Sequence, residues 1–188
     1  MRELEVRAVT ENIKEMCIEA NHVLSYDMKK ALRDAADAED APLGKQVLKQ
    51  LLDNMEIAQK DMIPICQDTG MTVIFLEIGQ NVHFAGGDLS EAVQEGVRQG
   101  YEEGFLRKSV VKDPIFRDNT KDNTPAVIHS EIVPGDKVRI TVAPKGFGSE
   151  NMSRVFMLKP ADGIEGVKNV VLTAVKDAGP NACPPMVV

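Results

Sequence analysis

Residues 64–79 read PICQDTGMTVIFLEIG, and the fold class turns on the change of character within this stretch. Before Pro64 the apolar residues recur at every third or fourth position. From Met71 to Ile78 (MTVIFLEI) they crowd together, rich in β-branched and aromatic types, and stop at Gly79, which is the composition of a strand. PICQDTG is then a loop entering a strand, and it carries Cys66 directly before a glutamine, an aspartate, a threonine and a glycine.

Upstream, Ile13, Met16, Cys17, Ala20, Val23 and Leu24 form the stripe of an amphipathic helix over Thr10–Tyr26. Residues 27–38 are alanine-rich and charged. Pro42 and Gly44 then introduce a second helical repeat over Gln46–Met62, with Val47, Leu48, Leu51, Leu52, Met55 and Ala58 in register. Downstream, Leu89–Tyr101 returns to helical spacing, with Val93, Val97 and Tyr101 on one side and Gly96 and Gly100 permitting close packing. Residues 106–125, LRKSVVKDPIFRDNTKDNTP, have no clean period and many turn formers, which predicts a long ordered loop of the kind that often carries function.

Two β-like runs, Ala126–Val133 and Lys137–Ala143, are joined by Pro134-Gly135-Asp136, and this pattern predicts a hairpin. A glycine-containing turn follows at residues 145–151, and Gly163–Ala178 predicts a helix closed by Gly179-Pro180. The expected fold is a single α+β domain over residues 1–188, with N-terminal helices followed by strands interleaved with helices. The final CPPMVV reads as the start of another strand, so the chain is expected to be truncated at its C-terminus.

A chain of 188 residues with 43% hydrophobic and 27% charged residues suits one globular domain. Its formal charge of -7 argues against non-specific binding of nucleic acid, which rewards clustered Lys and Arg. No run approaches the roughly 20 apolar residues that span a bilayer, and the N-terminus is charged where a signal peptide is apolar. A cytoplasmic protein with no membrane partner is expected. Its three cysteines, Cys17, Cys66 and Cys183, are odd in number and widely separated, unlike a disulfide framework. They fit a reducing compartment, with reduced or metal-bound thiols.

Cys17 lies on a helical stripe and reads as a small buried hydrophobe. Cys66 and Cys183 lie in loops punctuated by Pro and Gly, and for these two the residues alone leave both packing and metal ligation open. Cys-Pro does recur in iron–sulfur ligation. Zinc fares poorly, because His22, His83 and His129 lie far apart and near no cysteine. The planar fork of Arg107 matches a carboxylate, though a solvated surface arginine fits the same residue. Lys145-Gly-Phe-Gly-Ser lacks both the P-loop and the dinucleotide spacing, yet its amides could cradle a small carboxylate or a cluster.

Taken in order, PICQDTG (64–70), LRKSVV with RDNTKDNTPA (106–126), KGFGSENMSR (145–154) and NACPP (181–185) resemble the α subunit, or N-terminal domain, of the class I iron–sulfur hydro-lyases. These are the oxygen-sensitive fumarate hydratases and the L(+)-tartrate dehydratases. Phe147 departs from the family's usual Lys-Gly-Gly-Gly-Ser. The resemblance implies a [4Fe-4S] cluster held by three cysteines with one iron lacking a protein ligand. Cys66 and Cys183 would take two ligand positions, and the family's third lies beyond this chain's last residue.

By the same resemblance Gln67 and Asp68 would orient substrate, Arg107 would pair with a substrate carboxylate, and Gly146 or Gly148 would offer backbone N–H groups. The implied reaction is reversible hydration of fumarate to L-malate, a step of the tricarboxylic acid cycle. Dehydration of tartrate to oxaloacetate is the alternative, and a non-catalytic structural or regulatory subunit of the same fold is a third. The expected partners are a small dicarboxylate and a β subunit or C-terminal domain carrying much of the acid/base machinery, in an oligomer. Residues 1–188 alone are expected to show no turnover.

Overall fold

From the N-terminus, Arg2–Glu5 forms strand β1 and Val6–His22 forms helix α1 in the computed structural model, which describes residues 1–181. Helix α1 starts four residues before the expected Thr10 because its buried stripe already includes Val6 and Val9, ahead of Ile13 and Cys17. Helices α2 (Tyr26–Ala38) and α3 (Pro42–Asp61) follow, joined by three residues. Pro42 opens α3 at a position where its missing N–H has no intrahelical partner to lose. The chain then forms β2 (Met71–Gly79), β3 (Val82–Ala85), α4 (Leu89–Glu103), β4 (Val127–Val133) and β5 (Val138–Lys145).

Alternation along β2 decides which side becomes core. Thr72, Ile74 and Leu76 are buried, whereas Phe75 on the opposite face is 45% exposed and stacks on His129 of β4 at 5.1 Å between ring centroids. Ile74 and Leu76 meet Val9, Ile13 and Cys17 of α1 and Val93, Val97 and Tyr101 of α4 in one cluster. Each fully buried aliphatic side chain there contributes about 1.5–3 kcal/mol relative to exposure. The glycines expected to allow close packing do so: a Cβ at Gly96 would lie 2.7 Å from Thr10 O, and one at Gly100 would lie 2.8 Å from Cys17 Cβ.

The predicted hairpin is not formed. Strand order is β4-β2-β5, and β4 pairs in parallel with β2, from Val73 opposite Val127 to Gly79 opposite Val133. The Pro134-Gly135-Asp136 turn instead crosses the end of β2, where Gly79 N–H donates to Lys137 O at 2.8 Å. Glycine is needed at that crossing, since a Cβ on Gly79 would stand 2.7 Å from both Gly135 O and Lys137 O. Beyond Gly79 the chain meets another pairing absent from the sequence reading. Strand β1 pairs in parallel with β3, Arg2 opposite Val82 through Glu5 opposite Ala85.

The chain divides into two compact units, Met1–Pro144 and Lys145–Val188. In the second, a helical turn α5 (Phe147–Glu150) precedes α6, which spans Gly163–Ala178 as the sequence predicts. Lys159 N–H donates to Asp162 Oδ2 at 2.7 Å in the short turn before α6. The mixture of helices and small sheets is the α+β class expected from the sequence.

Candidate active site

The Cys66 loop is anchored before it reaches the cysteine. Met62, at φ +50, ends α3, and Ile63 N–H donates back to Ala58 O. Both backbone polar groups of Ile65 are then taken: its N–H donates to Asn21 O at the end of α1 (2.9 Å), and its carbonyl accepts from Asn54 Nδ2 of α3 (2.9 Å). Cys66 follows, half-buried. Its sulfur accepts the Asp68 N–H at 3.4 Å, and the thiol lies 3.4 Å from Gln67 Oε1. Asp68 Oδ1 accepts the Gly70 N–H at 3.0 Å, closing a local turn in which Gly70 takes φ +66.

Beneath the turn lies a set of buried donors. Tyr101 OH donates to Thr69 O at 2.7 Å, and Asn123 Nδ2 donates to Gly70 O at 3.0 Å. Burial pushes the Tyr101 phenol up to about 12, against the lowering influence of Thr72 and Asn21, so the hydroxyl stays a donor across the physiological range. Thr69 Oγ1 reaches across to the Arg107 carbonyl at 2.9 Å and thereby ties the cysteine loop to the 106–125 segment.

Asn123 is the residue that sequence reasoning missed. It is fully buried, and its Oδ1 accepts the N–H groups of Ser109 (2.8 Å) and Val110 (3.1 Å) while its amide holds Gly70. One side chain thus joins the loop after α4 to the loop before β2. Its φ of +62 suits asparagine, which tolerates the left-handed region better than most residues. The signal was the repeated Asp-Asn-Thr in a polar loop, but spacing does not tell a buried asparagine from a solvated one.

Next to it, Asp122 takes the Thr124 N–H at 3.0 Å and Arg98 Nε at 3.1 Å. Burial is the largest single influence on this carboxyl and raises it. Hydrogen bonds from Thr124, Arg98 and Thr120 together outweigh burial and hold it down at about 2.

Arg107 itself is exposed, and among the described residues its guanidinium has no hydrogen-bond or ion-pair partner. Non-glycine residues at positive φ cluster here: Met62 precedes the cysteine loop, and Phe105, Arg117, Lys121 and Asn123 all lie in or beside the 106–125 loop. Such backbone strain gathers where structure serves a site. Ser109 Oγ is buried without a hydrogen-bond partner among the described residues.

Cys66, Gln67 and Asp68 therefore share one clamped turn, bonded through Thr69 to the backbone of Arg107. Gly146 and Gly148 belong to the second unit, just before and within α5. Cys183 and the rest of the NACPP motif after Asn181 lie outside the described residues. Cys17 is fully buried in the core, and its thiol is pushed up to about 12 by burial despite the nearby Thr72 hydroxyl. That hydroxyl makes no hydrogen bond of good geometry itself. His22 is buried with Nδ1 2.6 Å from Ile18 O, and among the described residues no three His, Cys, Asp or Glu side chains converge on one point.

A loop-borne thiol, with its sulfur hydrogen-bonded by backbone and an arginine-bearing loop tied beside it, sits on a chain whose residues 10–188 match the family described as fumarate hydratase (fumerase). The chain belongs to that family. Among its relatives is a protein of Methanocaldococcus jannaschii provisionally named L(+)-tartrate dehydratase subunit alpha, 40% identical over 96% of this chain and 65% of its own length. The anaerobic class I fumarate hydratase of Escherichia coli K12 is 37% identical over 79% of this chain and 28% of its own length. The L(+)-tartrate dehydratase subunit alpha of Escherichia coli UTI89 is 30% identical over 86% of this chain and 54% of its own length. The chain thus spans less than two thirds of each of these relatives. No helix among the described residues is long and apolar enough to cross a membrane.

Proposed function

We propose that the chain is the α component of a cytoplasmic [4Fe-4S] hydro-lyase that reversibly hydrates fumarate to L-malate together with a β subunit or C-terminal domain. The observation that carries this reading is the state of Cys66. Cys66 is half-buried, its sulfur accepts a backbone N–H from Asp68, and it rides on a loop held by Asn21, Asn54, Tyr101 and Asn123. N–H groups aimed at sulfur tune iron–sulfur centres, so this residue fits a cluster ligand where the sealed Cys17 does not. Cys66 and Cys183 would hold the cluster. When bound, such a cluster supplies Lewis acidity at an iron without a protein ligand.

The chain's own residues then bind and orient the substrate. Arg107 presents an exposed guanidinium suited to bidentate pairing with one carboxylate of a dicarboxylate. Gln67 and Asp68, fixed by the same turn as the sulfur, orient the carbons between which water adds. The family resemblance assigns Gly146 and Gly148, in the second unit, as further backbone groups toward the substrate. No side chain among the described residues is assigned the proton transfer, which is left to the partner. Tartrate dehydration is the second reading. It is favoured by the coverage of the Methanocaldococcus relative, and it needs the same elimination of water from a substrate with one more hydroxyl.

The test is anaerobic reconstitution with iron and sulfide of the chain together with its β component, read by absorption and EPR spectroscopy and by hydration assays. Cys66→Ser is expected to abolish the cluster signal, while Cys17→Ser retains most of it. Equal losses, or no cluster in the wild-type complex, would overturn the reading. A cluster signal accompanied by tartrate rather than fumarate turnover would select the second substrate.

A further inference from the structure

Two side chains join the cysteine loop to the arginine loop, and they grip different residues. Asn123 bonds Gly70 O to the N–H groups of Ser109 and Val110. Thr69 instead grips Arg107 itself, its Oγ1 donating to Arg107 O at 2.9 Å.

Thr69 is 3% exposed, and its polar groups close a ring of hydrogen bonds. Tyr101 OH donates to Thr69 O (2.7 Å), Thr69 Oγ1 donates to Arg107 O, and Leu106, one residue back, donates its N–H to Tyr101 O (3.1 Å). Tyr101 and Leu106 both belong to the core cluster, so the ring is fixed to the core at two points. Its third point is the cysteine turn, because Thr69 lies inside the turn that Asp68 Oδ1 closes onto Gly70 N–H.

The ring positions a cation that nothing else holds. Among the described residues the Arg107 guanidinium is exposed and makes no hydrogen bond or ion pair. The neighbouring cation is in the opposite state. Lys108 is paired with Glu102, and its carbonyl accepts from Asn119 Nδ2 (2.8 Å), which arrives where the chain doubles back and Val111 bridges Asn119. Arg107 is therefore aimed by its backbone, whose carbonyl is held by Thr69. Bidentate pairing with a carboxylate needs the planar fork fixed in direction as well as place.

We propose that Thr69 is a positioning residue: it sets Arg107 relative to the turn bearing Cys66, Gln67 and Asp68, and through Arg107 it governs how tightly a dicarboxylate is held. This rests on the reading of Arg107 as the carboxylate-binding residue. The test is equilibrium binding of succinate, a dicarboxylate that cannot be hydrated, to the reconstituted complex of the full chain with its β component, measured by calorimetry. Thr69→Val, which keeps the shape and removes the hydroxyl, is expected to raise Kd about tenfold. Thr69→Ser, which keeps the hydroxyl, should stay within about threefold of wild type. Arg107→Met should bind weakly, and adding Thr69→Val to it should weaken binding no further, since a residue acting through Arg107 has nothing left to act on. Thr69→Ala makes the same comparison if circular dichroism shows that the valine variant does not fold.

Wild-type affinity in Thr69→Val and Thr69→Ala, with binding weakened in Arg107→Met, would overturn the role of Thr69 and leave the reading of Arg107 intact. A loss that Thr69→Ser shares, or that adds in full to that of Arg107→Met, would also overturn it, because Thr69 would then act as packing. Wild-type affinity in Arg107→Met, or a wild-type complex that binds no succinate, would sink the proposal together with the assignment of Arg107.

Discussion

At the residue scale the site depends on Asn123 as much as on the cysteine it supports. Its side chain makes three hydrogen bonds to backbone groups of two loops, and those to Val110 and Gly70 are buried. Truncation would leave the Ser109 and Val110 N–H donors unpaired, each costing about 1–3 kcal/mol, and would leave Gly70 O with only the longer contact from Tyr101 OH at 3.4 Å. Asn123→Ala should therefore lower stability by roughly 2 kcal/mol or more, read by urea unfolding. It should also raise the alkylation rate of Cys66, because Gly70 loses its tether. Asn123→Asp keeps the acceptor and loses the donor, so its Cys66 should again react faster, with Ser109 and Val110 amides still protected from exchange. Unchanged Cys66 reactivity in both variants would show that the two loops are not coupled through this residue.

At the element scale the decisive contact is α1 against α4. Gly100 lies so close to α1 that an added Cβ would sit 2.8 Å from Cys17 Cβ and 2.9 Å from Lys14 O, and the second of these is backbone that cannot move alone. Gly100→Ala gains up to about 1 kcal/mol of helix propensity but forces overpacking that costs about 1–3 kcal/mol. The expected outcome is a lower Tm by a few degrees in a thermal scan. A raised Tm would mean that the helices separate without cost. The same scale explains the failed hairpin. A Pro-Gly-Asp link between two β-like runs fits a turn, but strand neighbours are chosen by which faces must be buried. Strand β2, with Ile74 and Leu76 in the core, takes the central place.

At the scale of the whole molecule, stability should narrow from both ends of the pH range. Asp122 is held at about 2, below its ordinary 3.8, so the native state resists protonation there and the unfolded chain takes the proton first. Its contribution is present above roughly pH 4 and is lost as pH falls toward 2. Asp122→Asn should flatten that acid limb in urea unfolding. Cys17 and Tyr101 act oppositely: their native values of about 12 stand above ordinary values of 9.0 and 10.0. Their contribution is intact below pH 9 and declines as pH rises toward 12. Cys17→Ala and Tyr101→Phe should each reduce the alkaline slope, and a slope unchanged in both would show that neither proton is retained by folding.

The sequence by itself determined the helices, the strand after PICQDTG, the helix bounds Gly163–Ala178, and the roles of Gly96 and Gly100, because each follows from local periodicity or composition. It also placed Cys66, Gln67 and Asp68 on one turn, since they are adjacent in the chain. It could not show that β1 pairs with β3, four-residue strands too short to carry a pattern. Nor could it show that residues 110–120 form a finger, whose pairing is made by backbone groups rather than by apolar spacing. The burial of Cys17 was likewise legible in its helical stripe, whereas only the tertiary structure decided that Asn123 and Tyr101 clamp the cysteine loop. Burial and hydrogen-bond partnership arise between residues far apart in the chain, 53 positions from Gly70 to Asn123 and 82 from Thr10 to Ala92, and no local rule reaches that far.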